Sequence, residues 1–394
     1  MESPQRAEHQ VSVDYLRTFL VLLVLLHHSI VAYNPYALPA LPSMTTEPRW
    51  WRAMPVVDQP GWLGFTLIGI FNDTFFMSLT FFVSGLFVWR SLRSKGTARF
   101  VRARLLRLGV PFLLAALIAP VAYYPAYLMT PGDHTPESYA RLWLSFDDWV
   151  AGPAWFVWVL LAFNCLAALS FKVSPSWADG AGRRLAAMGE SPAKLFGALV
   201  GLSLLVYVPL VTVLGPYDWV TVGPFSVQTS RILLYCLYFA AGIAVGTQRL
   251  EDSLLAPQGS LARQWLVWAG VALAAYAALI AVLVRLPVPP ATSRMWNAIG
   301  ALPFVVSCAA WSFLWVSAFV RFARRQSFLI DRLSENSYGM YLVHYGIVTW
   351  LQYAMLTSPV PAVAKGVCVF VVSVMASWLL VQVLRQAPAV ARVI

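Results

Sequence analysis

Charge is scarce in this chain of 394 residues: Asp, Glu, Lys and Arg make up 11%, against about 25% in a soluble globular domain. With 59% hydrophobic residues and a mean hydropathy of +0.68, that scarcity excludes an ordinary soluble fold and indicates a multi-pass membrane protein. Acids are the rarer sign, 17 against 28 bases. The bases cluster between apolar runs, so the net charge of +11 reports topology rather than a nucleic-acid face. The four cysteines, Cys165, Cys236, Cys308 and Cys368, lie singly inside apolar runs, which speaks against a disulfide framework or a metal site. The alternation and short turns of an outer-membrane barrel are missing. Walker-type and dinucleotide-binding glycine loops, H-E-x-x-H and G-x-S-x-G are missing too, which narrows the catalytic inventory. Of five histidines, His9 lies in the tail and His134 in the loop from Thr130 to Pro153, leaving His28, His27 or His344 as the candidate general base.

What the chain does have is an Arg and two His inside its first apolar stretch, Asp14 to Ser29. Ionisable side chains are costly in hydrocarbon and mark function by default. Arg17 and His28 are eleven residues apart, three helical turns plus about 20°, so they share one face and stand about 16 Å apart along the axis. The spacing predicts a fixed cation near one interface and a proton acceptor near mid-membrane. His27 and His28 diverge by about 100° and no acidic or Cys cluster joins them, so no metal site is expected. A cleaved signal peptide, with Ala37 to Ala40 as a faint cleavage site, is the other reading of this end; Arg17 and the His pair favour a retained first helix.

Ten spans are expected, at about 13–33, 66–89, 108–129, 153–172, 194–214, 230–249, 264–285, 297–320, 335–354 and 363–384, giving an all-α polytopic membrane protein with a single domain over 1–394. With the N-terminus in the cytoplasm, 21 of the 28 bases, among them Arg6, Arg17 and Arg249, fall inside, and seven, including Arg231 and Lys365, fall outside. Both termini are then cytoplasmic. A Pro-rich loop from Asn34 to Gly61 and a loop from Thr130 to Pro153 are long enough to cap an outer opening, or serve as interfacial cover.

Several local patterns bear on chemistry. Arg104 and Arg107 are i,i+3 neighbours within an Arg-only basic stretch that includes Arg102. They suit either anionic-lipid contact or a clamp for a phosphorylated donor. Ser84-Gly85 permits close helix approach, and Asp73 is placed to orient or charge-balance a histidine. Ser337, Tyr341 and His344 form an i, i+4, i+7 stripe, read either as an interhelical hydrogen-bond network or as the lining of a substrate channel. Trp155 is an interfacial anchor or a stacking platform.

These pieces together resemble membrane acyltransferase family 3, multi-pass enzymes that acylate bacterial surface sugars, glucans and related acceptors. The resemblance rests on Arg17-x10-His28, Phe82-Val83-Ser84-Gly85, Arg104-x2-Arg107 with Pro111, Trp155-Phe156, and Ser337-Tyr338-Gly339-x-Tyr341-Leu342-x-His344. It implies transfer of an acyl group, acetyl or succinyl, from cytoplasmic acyl-CoA to a hydroxyl of a carbohydrate or similar acceptor at the outer face. No permanently bound cofactor is implied. His28 would be the catalytic histidine, Arg17 its partner, and Arg104 and Arg107 the basic pair. The chain is closer to a stand-alone branch without a periplasmic hydrolase-like domain, in the inner membrane, with a homodimer among the expectations. A transporter or flippase for an anionic or lipid-linked metabolite is the rival, since it too needs intramembrane Arg and His.

Overall fold

The computed structural model describes residues 4–37, 42–188, 191–248, 255–285 and 294–394, with residues 4–10 as backbone alone. The side chains of Arg6 and His9, residue Arg249, and most of the stretch from Ala37 to Ala40 lie outside the described residues.

The chain runs α1 (Pro4–Val31), α2 (Leu63–Gly85), α3 (Val88–Lys95), α4 (Thr97–Arg104), α5 (Val110–Leu128), α6 (Pro136–Leu144), α7 (Trp155–Val173), α8 (Trp177–Met188) and α9 (Pro192–Leu214). A hairpin of β1 (Trp219–Val222) and β2 (Phe225–Gln228) follows. Then come α10 (Ile232–Gly246), α11 (Ser260–Arg263), α12 (Trp265–Leu283), α13 (Arg294–Phe322), α14 (Phe328–Ala354), α15 (Ala362–Leu384) and α16 (Pro388–Ala391). Among the described residues, nine helical stretches are long and apolar enough to cross a membrane. The ninth expected span corresponds to α14, whose first turns carry Asp331, Arg332 and Glu335. It nevertheless packs lengthwise on α1, α5 and α15. The fold is an all-α polytopic membrane protein. Leucines and valines stay exposed along α5, α12 and α15, for example Leu117, Leu273 and Val371, an apolar surface that only lipid would cover without cost.

Two features position the centre of the bundle. First, α1 is surrounded by α2, α13, α14 and α15. Second, α2 and α10 touch backbone to backbone. A Cβ on Gly85 would stand 2.3 Å from the Phe239 carbonyl oxygen, and one on Gly242 2.0 Å from that of Phe82. Only glycine fits at this crossing, which is the close approach that Ser84-Gly85 signals. At 15 residues, α10 is shorter than the roughly 20 a spanning helix needs. The hairpin therefore delivers the chain to α10 already inside the bundle, and buries Gln228, Ser230 and Arg231 there.

Candidate active site

Because α1 is packed on four helices, the exposure that its polar residues keep is to space within the bundle. Asp14, Arg17 and His28 are all half-buried along one side, and the Arg17 side chain is 41% exposed. On α2 the same eleven-residue spacing recurs, with Asp73, Thr80 and Ser84 half-buried on one face. The two faces meet where the Arg17 guanidinium lies over the Phe87 ring, 4.7 Å from its centroid. Together they make a polar, half-buried strip along α1 and α2, the candidate passage of the bundle.

At one end of the passage stand three guanidinium groups. Arg17 pairs with Asp14 at 3.2 Å, and Arg104 and Arg107 lie within electrostatic reach of Arg17 and of each other. Arg107 sits in a π-turn, Leu105–Gly109, a local widening frequent at functional sites. The Tyr338 hydroxyl donates to the Arg107 carbonyl and so fixes this turn to α14. No carboxylate pairs with Arg104 or Arg107 among the described residues. Arg102 and Arg107 are exposed and Arg104 is half-buried; Arg102, two residues before Arg104, faces another side of α4, while Arg17 joins Arg104 and Arg107 within electrostatic reach.

At the other end is His28. The sequence places it near mid-membrane, but α1 ends at Val31 and His28 lies in its last turn. Its Nδ1 is 2.9 Å from the Val24 carbonyl and 3.2 Å from His344 Nε2. His344 is fully buried, with its Nδ1 2.6 Å from the Tyr341 carbonyl. Carbonyls only accept, so His344 Nδ1 donates to Tyr341 and, in the neutral ring, His344 Nε2 accepts. His28 Nδ1 therefore carries its ring proton, and Nε2 holds the lone pair. His28 Nε2 has no hydrogen-bond partner among the described residues.

The aromatic roof above His28 was not legible in the sequence. Tyr345 meets the imidazole edge-on at 5.3 Å and Tyr123 at 5.6 Å. Tyr123 stacks on Trp143 and meets Trp51 of the Pro-rich loop. Gly152 has φ +56°, and a Cβ there would press on the Tyr345 ring at 3.1 Å. Arg49 and Arg52 both hold Asp148, at 3.1 and 2.7 Å. The two long loops thus pack against each other over the His28 end as a cap.

Other expected site residues are placed differently. Among the described residues, Asp73 hydrogen-bonds no histidine. Arg231 takes both its carboxylate oxygens, at 2.8 and 2.7 Å, together with its main-chain carbonyl at 3.1 Å, because the short α10 brings a cation to that depth. His27 is within electrostatic reach of Asp73 and stacks near Phe76. Arg231 and Lys365, counted with the outer segments, are buried: Arg231 on Asp73, Lys365 on Asp58 at 2.7 Å. Ser337 donates to the Ser334 carbonyl within its own helix. The Tyr341 hydroxyl donates to the Pro153 carbonyl, tying α14 to the turn before α7. Of this stripe, Tyr341 and His344 Nε2 reach other elements, while Ser337 and His344 Nδ1 bond within α14, and both His344 nitrogens are engaged. Trp155 packs among Trp219, Tyr235 and Phe156.

A membrane-embedded imidazole at one end of this polar strip, with a guanidinium cluster at the other, marks a functional site of a polytopic membrane protein. A family model described as an acyltransferase domain, that of acyltransferase family 3, matches residues 10–382. The chain belongs to this family and is a membrane acyltransferase, which decides between acyl transfer and the transporter reading. Neither a curated protein nor a solved structure matches the chain.

Proposed function

We propose that this acyltransferase takes its acyl group from acyl-CoA on the cytoplasmic side and places it on an acceptor hydroxyl, of a carbohydrate or similar molecule, at the outer face. The protein sits in the inner membrane with both termini cytoplasmic. The observation that carries this reading is the partnerless Nε2 of His28 in a passage whose far end holds Arg17, Arg104 and Arg107. Guanidinium forks match the phosphates of CoA, and the missing carboxylates leave Arg104 and Arg107 free for them. Arg17, nearer the passage, holds the pantetheine or phosphate region or stabilises charge near the thioester.

His28 Nε2 takes the proton of the acceptor hydroxyl as its oxygen attacks the thioester carbonyl. The C–S bond then breaks, and the imidazolium returns the proton to the departing thiolate. A general base of this kind contributes about 10²- to 10⁴-fold in rate. The acyl group is acetyl or succinyl. Purified protein in nanodiscs, given acetyl-CoA or succinyl-CoA with candidate acceptors, should release CoA thiol; His28→Ala should lower that turnover by about 10²-fold or more. Unchanged turnover in His28→Ala removes His28 as the base.

A further inference from the structure

We infer that His344 is a positioning residue for His28, holding the imidazole so that its lone pair faces the passage and stabilising the ring once it has taken a proton. The inference rests on the assignment of His28 as the base and deepens it. It starts from how α14 grips the end of α1. The last four carbonyls of a helix have no partner within it. Gln352 supplies one, donating to the carbonyls of His28 at 2.7 Å and Ser29 at 3.2 Å. Eight residues earlier on α14, His344 meets the His28 ring at 3.2 Å. One residue of α1 is therefore held at its backbone and at its side chain by the same neighbouring helix.

The direction of the ring–ring bond follows from chemistry alone. The Tyr341 carbonyl fixes the His344 proton on Nδ1, so Nε2 is an acceptor aimed at His28 Nδ1. The Val24 carbonyl also faces His28 Nδ1, but it lies one turn back in the same helix, where it is the usual acceptor of the His28 backbone N–H. His344 Nε2 has no other claim on it. When His28 becomes an imidazolium, its Nδ1–H bond to His344 becomes charge-assisted and stronger. The arrangement does for His28 what a carboxylate does for the histidine of a hydrolase triad, with a neutral acceptor instead. It also makes His344 unfit as the base itself, since its lone pair is already covered.

The first test needs no substrate: nitrogen NMR of full-length protein in nanodiscs with 15N-labelled histidine, His28 assigned by its loss in His28→Ala. The expected spectrum has His28 protonated at Nδ1 and bare at Nε2, with an Nδ1–H coupled across the bond to His344. A His28 ring protonated at Nε2 overturns the proposal. The second test is kinetic. His344→Leu should lower kcat by about 10- to 100-fold, the range expected when a group that orients a histidine is lost. KM for acetyl-CoA should stay within about twofold. His344→Gln, whose side-chain oxygen can stand where Nε2 stood, should recover most of the rate. Equal losses in the Leu and Gln variants would mean that only bulk matters, and sink the idea. Full turnover in His28→Ala would instead refute the base assignment, while the ring tautomers would still judge the pair.

Discussion

The two ends of the passage treat charge in opposite ways. Around the His28 end, among the described residues, the buried cations Arg231 and Lys365 pair with Asp73 and Asp58, and the half-buried Arg49 and Arg52 with Asp148. At the Arg17 end Arg17 pairs with Asp14, and Arg104 and Arg107 pair with no carboxylate among the described residues. An unpaired buried charge costs several kcal/mol and a paired one far less. The buried, paired cations therefore read as fold, and the unpaired cations that keep exposure, Arg104 and Arg107, as a site open to an anion. The difference also explains why Asp73, the most suggestive acid in the sequence, serves the architecture: its carboxylate is occupied by a guanidinium that would otherwise be stranded in the bundle.

The comparison can be broken most sharply at Asp73. Asp73→Ala leaves Arg231 buried without its acid and should cost about 3–5 kcal/mol of stability, read as a lowered Tm in detergent. A Tm unchanged by this variant would show that the outer pairs are not structural. At the opposite end, Arg104→Ala and Arg107→Ala should each weaken acyl-CoA binding by about 1.5–3 kcal/mol with little change in Tm. Raising the salt from low to about 1 M should shrink the difference from wild type, because exposed charges are screened over a few ångströms there. Equal affinities of variant and wild type at low salt would remove the clamp. Gly242→Ala, which forces a Cβ against the Phe82 carbonyl, tests whether the crossing of α2 and α10 is as tight as its geometry; a loss of about 1–3 kcal/mol is expected. The smallest effect belongs to the surface pair of Arg93 and Asp179, where Asp179→Ala should change stability by less than about 1 kcal/mol.

Arg17 and His28 were legible as neighbours because a helix makes them so. Eleven residues is nearly a whole number of turns, and no tertiary contact is needed to put both on one side. The stripe through Tyr341 and His344 was legible for the same reason, as was the glycine of the α2 crossing. Arg231 and Gln352 were not. Each lies on an unremarkable stretch and acquires its role from a partner 158 or 324 residues away in sequence. Arg231 looked like an outer-loop cation because its depth depends on a hairpin that carries the chain inward before α10 begins. Arg102 and Arg104 stand on different sides of α4 for a local reason, since residues two apart on a helix do not face each other.

Hydropathy, charge placement and helical periodicity, which are properties of one segment at a time, determined that this is a bundle of apolar helices with ionisable side chains on the inner face of the first. Which imidazole meets which, and which nitrogen is left with its lone pair, was decided only when α14 lay down against α1. So was the choice of which cations find acids. Those outcomes depend on distances of about 3 Å between residues hundreds of positions apart, and no periodicity within a single helix encodes them.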